Sequence, residues 1–185
     1  MNKILPAILT ILCLCNCLNG LAESLDDIRR KAEAGDVHAQ LILGYLYDSG
    51  EGVPRNHKEA AKWYHKAAGQ GNAPAQNHLG GMYAIGRGVP RNDKEAVKWW
   101  HKAAEQGVAS AQNNLAVRFV VGKGAPKDFV SAYAWYSVAA QNGFKGSAQK
   151  RDSLAKVMSR DQVTRARAMG RDLRNRIDAK KKAKK

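Results

Sequence analysis

The chain has 185 residues, 44% of them hydrophobic and 25% charged, with a formal net charge of +15. That length supports one domain or one short repeat array with its own core, and the apolar content excludes a wholly disordered chain. Five prolines exclude collagen-like and proline-rich architectures, while the basic balance raises nucleic acid, anionic membrane and acidic protein as partner classes.

Residues 1–22 have the three-part layout of a secretory signal peptide. Lys3 supplies the positive charge, Ile4 to Leu14 the apolar stretch, and Gly20-Leu21-Ala22 the small residues before a cut after Ala22. The apolar run is too short to span ~30 Å of hydrocarbon, and Pro6 interrupts it. Cys13, Cys15 and Cys17 follow Leu12, Leu14 and Asn16, whereas a lipid-carrying cysteine normally follows a small residue. Cleavage would remove every cysteine, leaving a mature chain with no disulfide, no thiol nucleophile and no Cys metal site. The expectation is an exported protein, periplasmic or secreted, with no transmembrane segment after cleavage.

Residues 23–34 read as an N-terminal capping helix, opened by Ser24 with Asp27 three residues on. From residue 35 to 142 a period of 36 takes over. Gly35, Gly71, Gly107 and Gly143 mark it, and Ala39/Ala75/Ala111, Gln40/Gln76/Gln112, Leu43/Leu79/Leu115 and Trp63/Trp99/Trp135 keep the register. A fixed period over three copies predicts a stacked repeat array. In the first copy, Ala39, Leu43 and Tyr47 share one face of a helix that Gly50 closes, and Pro54 biases Val53 out of helical geometry. Asn56 caps a second helix presenting Ala60, Trp63, Tyr64, Ala67 and Ala68. Small residues let the helix axes approach, and the tryptophan rings fill the remaining space.

Residues 143–178 begin a divergent fourth copy and end in capping helices. Arg151 stands in the Leu43 register, and Ser159 with Gln162 forms a second capping box ahead of a Val163, Ala166, Leu173, Ile177 stripe. Residues 179–185 read as a basic disordered tail. The fold class expected is all-α, a right-handed superhelical solenoid of helix-turn-helix repeats with helical caps.

The motif running from Ala39-Gln40-Leu41-Ile42-Leu43-Gly44 through Gly50-Glu51-Gly52-Val53-Pro54 to Ala60, Trp63-Tyr64 and Ala67-Ala68 resembles the Sel-one-like repeat family, a branch of the tetratricopeptide-type solenoids. The third copy departs from it, with Ala125 for valine and Asp128 for asparagine. What the resemblance implies is protein–protein interaction, as an adaptor or scaffold, and for exported bacterial members a role in the cell envelope. Some cysteine-rich exported relatives are linked to β-lactam binding, but a mature chain without cysteine matches them poorly.

No enzyme chemistry stands out. His65 and His101 lie one repeat apart and are not spaced to share a zinc, no H-E-x-x-H run occurs, and the Gly50-Glu51-Gly52 imitation of a phosphate loop recurs as a turn in every period. No nucleophile-and-base pair can be named, so a cell-wall or β-lactam-related enzyme is the weakest reading. No cofactor or metal is expected.

In tetratricopeptide-like arrays the variable positions of each first helix line the concave face. Here the candidates for partner binding are His38, Tyr45, Asn77, His78, Asn113, Asn114 and Arg118. Asn77 and Asn113 occupy matching registers, and a carboxamide both donates to and accepts from an extended peptide backbone. The alternative is an anionic-surface binder, for lipid, lipopolysaccharide or an acidic protein, acting through Arg165, Arg167, Arg171, Arg174, Lys180, Lys181 and Lys182. Residues 143–185 hold 15 basic and 4 acidic residues, against 15 and 12 in residues 23–142, so the repeat body is nearly neutral. Nothing in it calls for nucleic acid.

Overall fold

The computed structural model describes residues 24–183. The signal-peptide reading with its three cysteines, and Lys184 and Lys185, lie outside the described residues. Those described form nine helices and no strand.

Helix α1 (Leu25–Glu33) starts at Ser24, whose hydroxyl accepts from the Asp27 amide. Three helix pairs follow: α2 (Val37–Ser49) with α3 (His57–Gly69), α4 (Ala73–Ile85) with α5 (Asp93–Glu105), and α6 (Ala109–Val121) with α7 (Phe129–Gln141). From α1 to α7 each helix packs on the next in chain order, which makes the array an α-solenoid. The side chains of Asn56, Asn92 and Asp128 cap the three second helices, accepting two backbone amides each. Gly50, Gly86 and Gly122 close the first helices at φ of 83°, 73° and 70°, as their spacing predicts.

The second glycine of each turn joins neighbouring repeats. A Cβ on Gly88 would fall 2.0 Å from the His57 carbonyl oxygen, and one on Gly124 would fall 2.1 Å from that of Asp93. Gly52, with no complete repeat before it, has open space at the same position. The Gly-x-Gly element is therefore a turn that docks on the start of the preceding repeat's second helix.

Two aromatic rows form the core. Trp63, Trp99 and Trp135 are buried as expected, and so is the adjoining row Tyr64, Trp100 and Tyr136. The interior also holds three buried glutamines. The Nε2 groups of Gln40, Gln76 and Gln112 donate to the carbonyls of Ala32, Ala68 and Ala104 at 3.0, 3.1 and 3.0 Å. Their Oε1 atoms accept from Gln70, Gln106 and Asn142 at 2.8, 2.9 and 2.9 Å. Each glutamine thus ties the end of the helix before it to the end of the helix after it, at the same place in every repeat.

The C-terminal cap is α8 (Ser147–Ala155) and α9 (Arg160–Lys182), with the Ser159–Gln162 capping box present. Buried Ala166, Leu173 and Ile177 lay α9 along α7, and its end reaches α5. Residues 179–182 are not a disordered tail. They continue α9, because Ile177 is buried and Lys180 Nζ reaches Glu105 Oε2 at 3.0 Å, holding the last turn against the repeat body.

Candidate functional site

The first helices form one face of the solenoid, and a recess lies on it between α4 and α6. A pocket of about 350 Å³ opens there over Trp100, which α5 contributes from beneath. Asn77, His78 and Gly81 line one wall and Asn114 and Arg118 the other, while Asp48 and Arg87 stand at its edge. Four of the sequence-predicted residues therefore meet in one place.

The pocket exists because small residues stand where Trp100 needs room. A Cβ on Gly80 would fall 2.7 Å from Trp100 Cδ1, so the indole lies directly against the α4 backbone. The Arg118 guanidinium sits 5.1 Å from the centre of the Trp100 ring and 3.4 Å from Asp93 Oδ1. Asn77 Oδ1, Trp100 Nε1 and Arg118 Nε are buried without a hydrogen-bond partner. Buried polar groups are ordinarily paired, so this cluster is unusually short of partners for a folded interior.

His78 stacks on Tyr64, with ring centroids 4.9 Å apart and planes 5° from parallel. Burial lowers the His78 pKa, against an opposing pull from Asp48, and it raises that of the Tyr64 hydroxyl. Asp48 accepts from or pairs with His57 Nδ1 at 2.9 Å and lies 3.8 Å from Arg87.

One repeat further on, Val120, Tyr136, Lys150, Leu154 and Val157 line a second recess of about 470 Å³. Tyr136, Lys150 and Leu154 stand in the registers of Trp100, Asn114 and Arg118. The groove therefore continues along the array and turns from polar to apolar as α8 replaces a full first helix.

The remaining candidates are placed differently. His38 and Tyr45 are exposed on α2, with Tyr45 donating to Glu51 at 3.1 Å. Asn113 is a correction: it is buried, not a peptide-facing counterpart of Asn77. Its Oδ1 accepts from Ser147 Oγ at 3.3 Å and Lys150 Nζ at 3.1 Å, so it anchors α8 to α6. Trp100, Asp48 and Arg87 were not singled out from the sequence. Trp100 had a signal in its aromatic register with Tyr64 and Tyr136, but the dominant Trp63/Trp99/Trp135 row masked it.

The basic residues of α9 are divided between surfaces. Arg165 pairs with Asp161 at 3.1 Å, and Lys180 is held by Glu105. Lys181 packs its stem over Gly107, and Lys182 is exposed. Arg167, Arg171 and Arg174 instead line one cleft against α7 and α8. His65 and His101 are exposed and lie edge-on to Trp99 and Trp135 at 5.6 and 5.8 Å. Among the described residues no cluster of His, Cys, Asp or Glu could hold a metal, and no helix is long and apolar enough to cross a membrane.

Residues 37–72, 73–108 and 109–144 each match the Sel1 repeat model. The crystal structure of a Sel1 repeat protein from Oxalobacter formigenes is 36% identical, with a TM-score of 0.65, covering 71% of this chain and 99% of that one. A protective antigen of uropathogenic Escherichia coli strains, displaying an SLR fold, is 28% identical at a TM-score of 0.64, over 85% of this chain and 43% of that one. Cysteine-rich protein B of Helicobacter pylori, 17% identical at a TM-score of 0.54 over 68% of this chain and 96% of that one, shares the fold. A chitin synthase regulator of Saccharomyces cerevisiae is 55% identical over 40 residues, 22% of this chain, and that stretch spans 6% of the regulator's length. Proteins built from these repeats are typically non-enzymatic scaffolds for protein–protein interaction. With three tandem matches covering more than half of its length, the chain belongs to the Sel1 repeat family.

Proposed function

We propose that this protein is a non-enzymatic scaffold of the bacterial cell envelope that captures a protein or peptide segment in the groove of its first helices. The observation that carries the reading is the pocket over Trp100, where Asn77, His78, Asn114 and Arg118 converge and three buried polar atoms have no partner. An extended segment laid in the groove offers both N–H donors and C=O acceptors, the complement of the Asn77 and Asn114 carboxamides and the Arg118 guanidinium that line it. Recesses of different polarity in successive repeats give such a segment a direction and a register.

Export is part of the proposal and rests on the layout of residues 1–22. Fractionation of cells expressing the full chain tests it, with processing after Ala22 read by mass spectrometry. Partner binding is tested by replacing Asn77 and Asn114 together with alanine. Loss of partner affinity at an unchanged melting temperature supports the groove, and unchanged affinity removes it.

A further inference from the structure

The third repeat departs from the first two on the face where α9 docks. Ala61 and Val97 become Tyr133, His65 and His101 become Ser137, and Gly69 and Glu105 become Gln141. These three positions lie four residues apart on α7, so they form one stripe. Opposite them α9 places Arg167, Arg171 and Arg174, again on one face at i, i+4 and i+7. Gly170, buried between those arginines, lies against α7, where an added Cβ would make only an ordinary contact 3.6 Å from the Ala134 carbonyl oxygen. With Arg151 and Asp152 from α8 the result is a cleft of about 430 Å³ bounded by three helices.

The charges in this cleft do not cancel. Asp152 holds Arg151 at 2.7 Å, and Asp178 is 3.8 Å from Arg174. Arg167 faces the Tyr133 side chain, a neutral group, across the cleft. Arg171 forms no ion pair among the described residues. Four guanidiniums therefore share two carboxylates, and Ser137 and Gln141 add neutral hydrogen-bonding groups at the wall. Gathering like charges along one helix face is unfavourable unless a counter-charge is present. Guanidinium forks match the oxygens of a tetrahedral oxyanion two at a time.

We infer that the α7–α8–α9 cleft is a binding site for a phosphate-type oxyanion, held by Arg167, Arg171 and Arg174 with Arg151 at its edge. The group comes either as a free phosphate or as the phosphate of a lipid headgroup, since both present the same oxygens. The site is separate from the first-helix groove and does not depend on it.

Calorimetry with inorganic pyrophosphate, and flotation with phosphatidylglycerol against phosphatidylcholine vesicles, tests the inference on the full chain and two classes of charge-matched variant. Arg171→Gln and Arg167→Gln remove cleft charges, while Arg165→Gln and Lys182→Gln remove the same charge outside it. The expected result is a loss of about tenfold or more for each cleft variant and less than about twofold for each control, at constant salt. Cleft-dependent pyrophosphate binding without flotation assigns a free oxyanion, and cleft-dependent flotation on phosphatidylglycerol assigns a headgroup. Equal losses in all four variants would show diffuse charge attraction and overturn the site, as would failure of both probes to bind. Circular dichroism of each variant confirms that the fold is retained.

Discussion

Gly80 and Trp100 touch so closely that a single added Cβ would fall 2.7 Å from the indole Cδ1. Gly44 stands in the same relation to Tyr64 one repeat earlier. This contact sets both the spacing of the helix pair and the floor of the groove, since Trp100 is the base on which the Asn77, Asn114 and Arg118 side chains converge.

Gly80→Ala is expected to destabilise the protein by about 1–3 kcal/mol, because the added methyl displaces a ring that is itself tightly buried. Gly81→Ala, one residue on, meets nothing within 4 Å and is expected to be neutral or to stabilise by up to about 1 kcal/mol through helix propensity. Urea unfolding of the two variants checks the contrast.

Gln76→Leu is expected to cost about 2 kcal/mol or more. Leucine keeps the volume but leaves the Ala68 carbonyl without its donor and takes the Gln76 oxygen away from Gln106. Gln149→Leu, on the exposed face of α8, serves as the control. Equal midpoints in urea for the two variants would contradict a structural role for the glutamine ladder.

Most of the solenoid was legible in the sequence because its packing repeats. A period of 36 carried by glycines, alanines and tryptophans reports helix ends, close approaches and core at once, and the three helix pairs stand where those residues place them. The Gln40/Gln76/Gln112 register was equally visible, but periodicity does not say that a polar side chain is buried. That follows only from the carbonyls waiting at the ends of the preceding helices. The site was legible in part for a related reason. Asn77, His78, Asn114 and Arg118 were reachable as variable positions of first helices, whereas Asn113 shares the register of Asn77 and differs in its neighbours. Ser147 and Lys150 of the divergent α8 bond to it, whereas Ala111 and Asn114, in the same registers on α6, leave the Asn77 oxygen without a partner. The length of α9 was missed because Lys180 to Lys182 read as a solvated tail unless the distant Glu105 is seen beside them.

Asn113 and Asn114 are expected to separate stability from binding. Asn113→Ala removes the acceptor for Ser147 and Lys150 and is expected to loosen α8, lowering stability by about 1–3 kcal/mol. Asn114→Ala is expected to leave stability within about 0.5 kcal/mol and to weaken partner binding. Denaturation and affinity measured on the same preparations check both halves.

His78 gives the groove a pH dependence with a defined sign. Partial desolvation beside Tyr64 lowers its folded pKa below the ordinary value of 6.5, so below that pH the unfolded chain binds more protons at this site than the folded chain. The His78 contribution is therefore fully present above about pH 6.5 and is lost as pH falls through the interval below it. His78→Gln is expected to flatten that part of the profile. Unfolding midpoints at about pH 5.5 and 7.5 check it, and an equal slope in the variant would contradict the assignment.

The central claim is that the first-helix groove captures the partner, and site-specific photocrosslinking in intact cells tests it most directly. A photoreactive residue at position 78, inside the groove, is expected to yield a discrete crosslinked product that disappears when Asn77 and Asn114 are replaced by alanine. The same residue at position 98, on the exposed side of α5, is expected to yield none. A product from position 98 with none from position 78 would contradict the account.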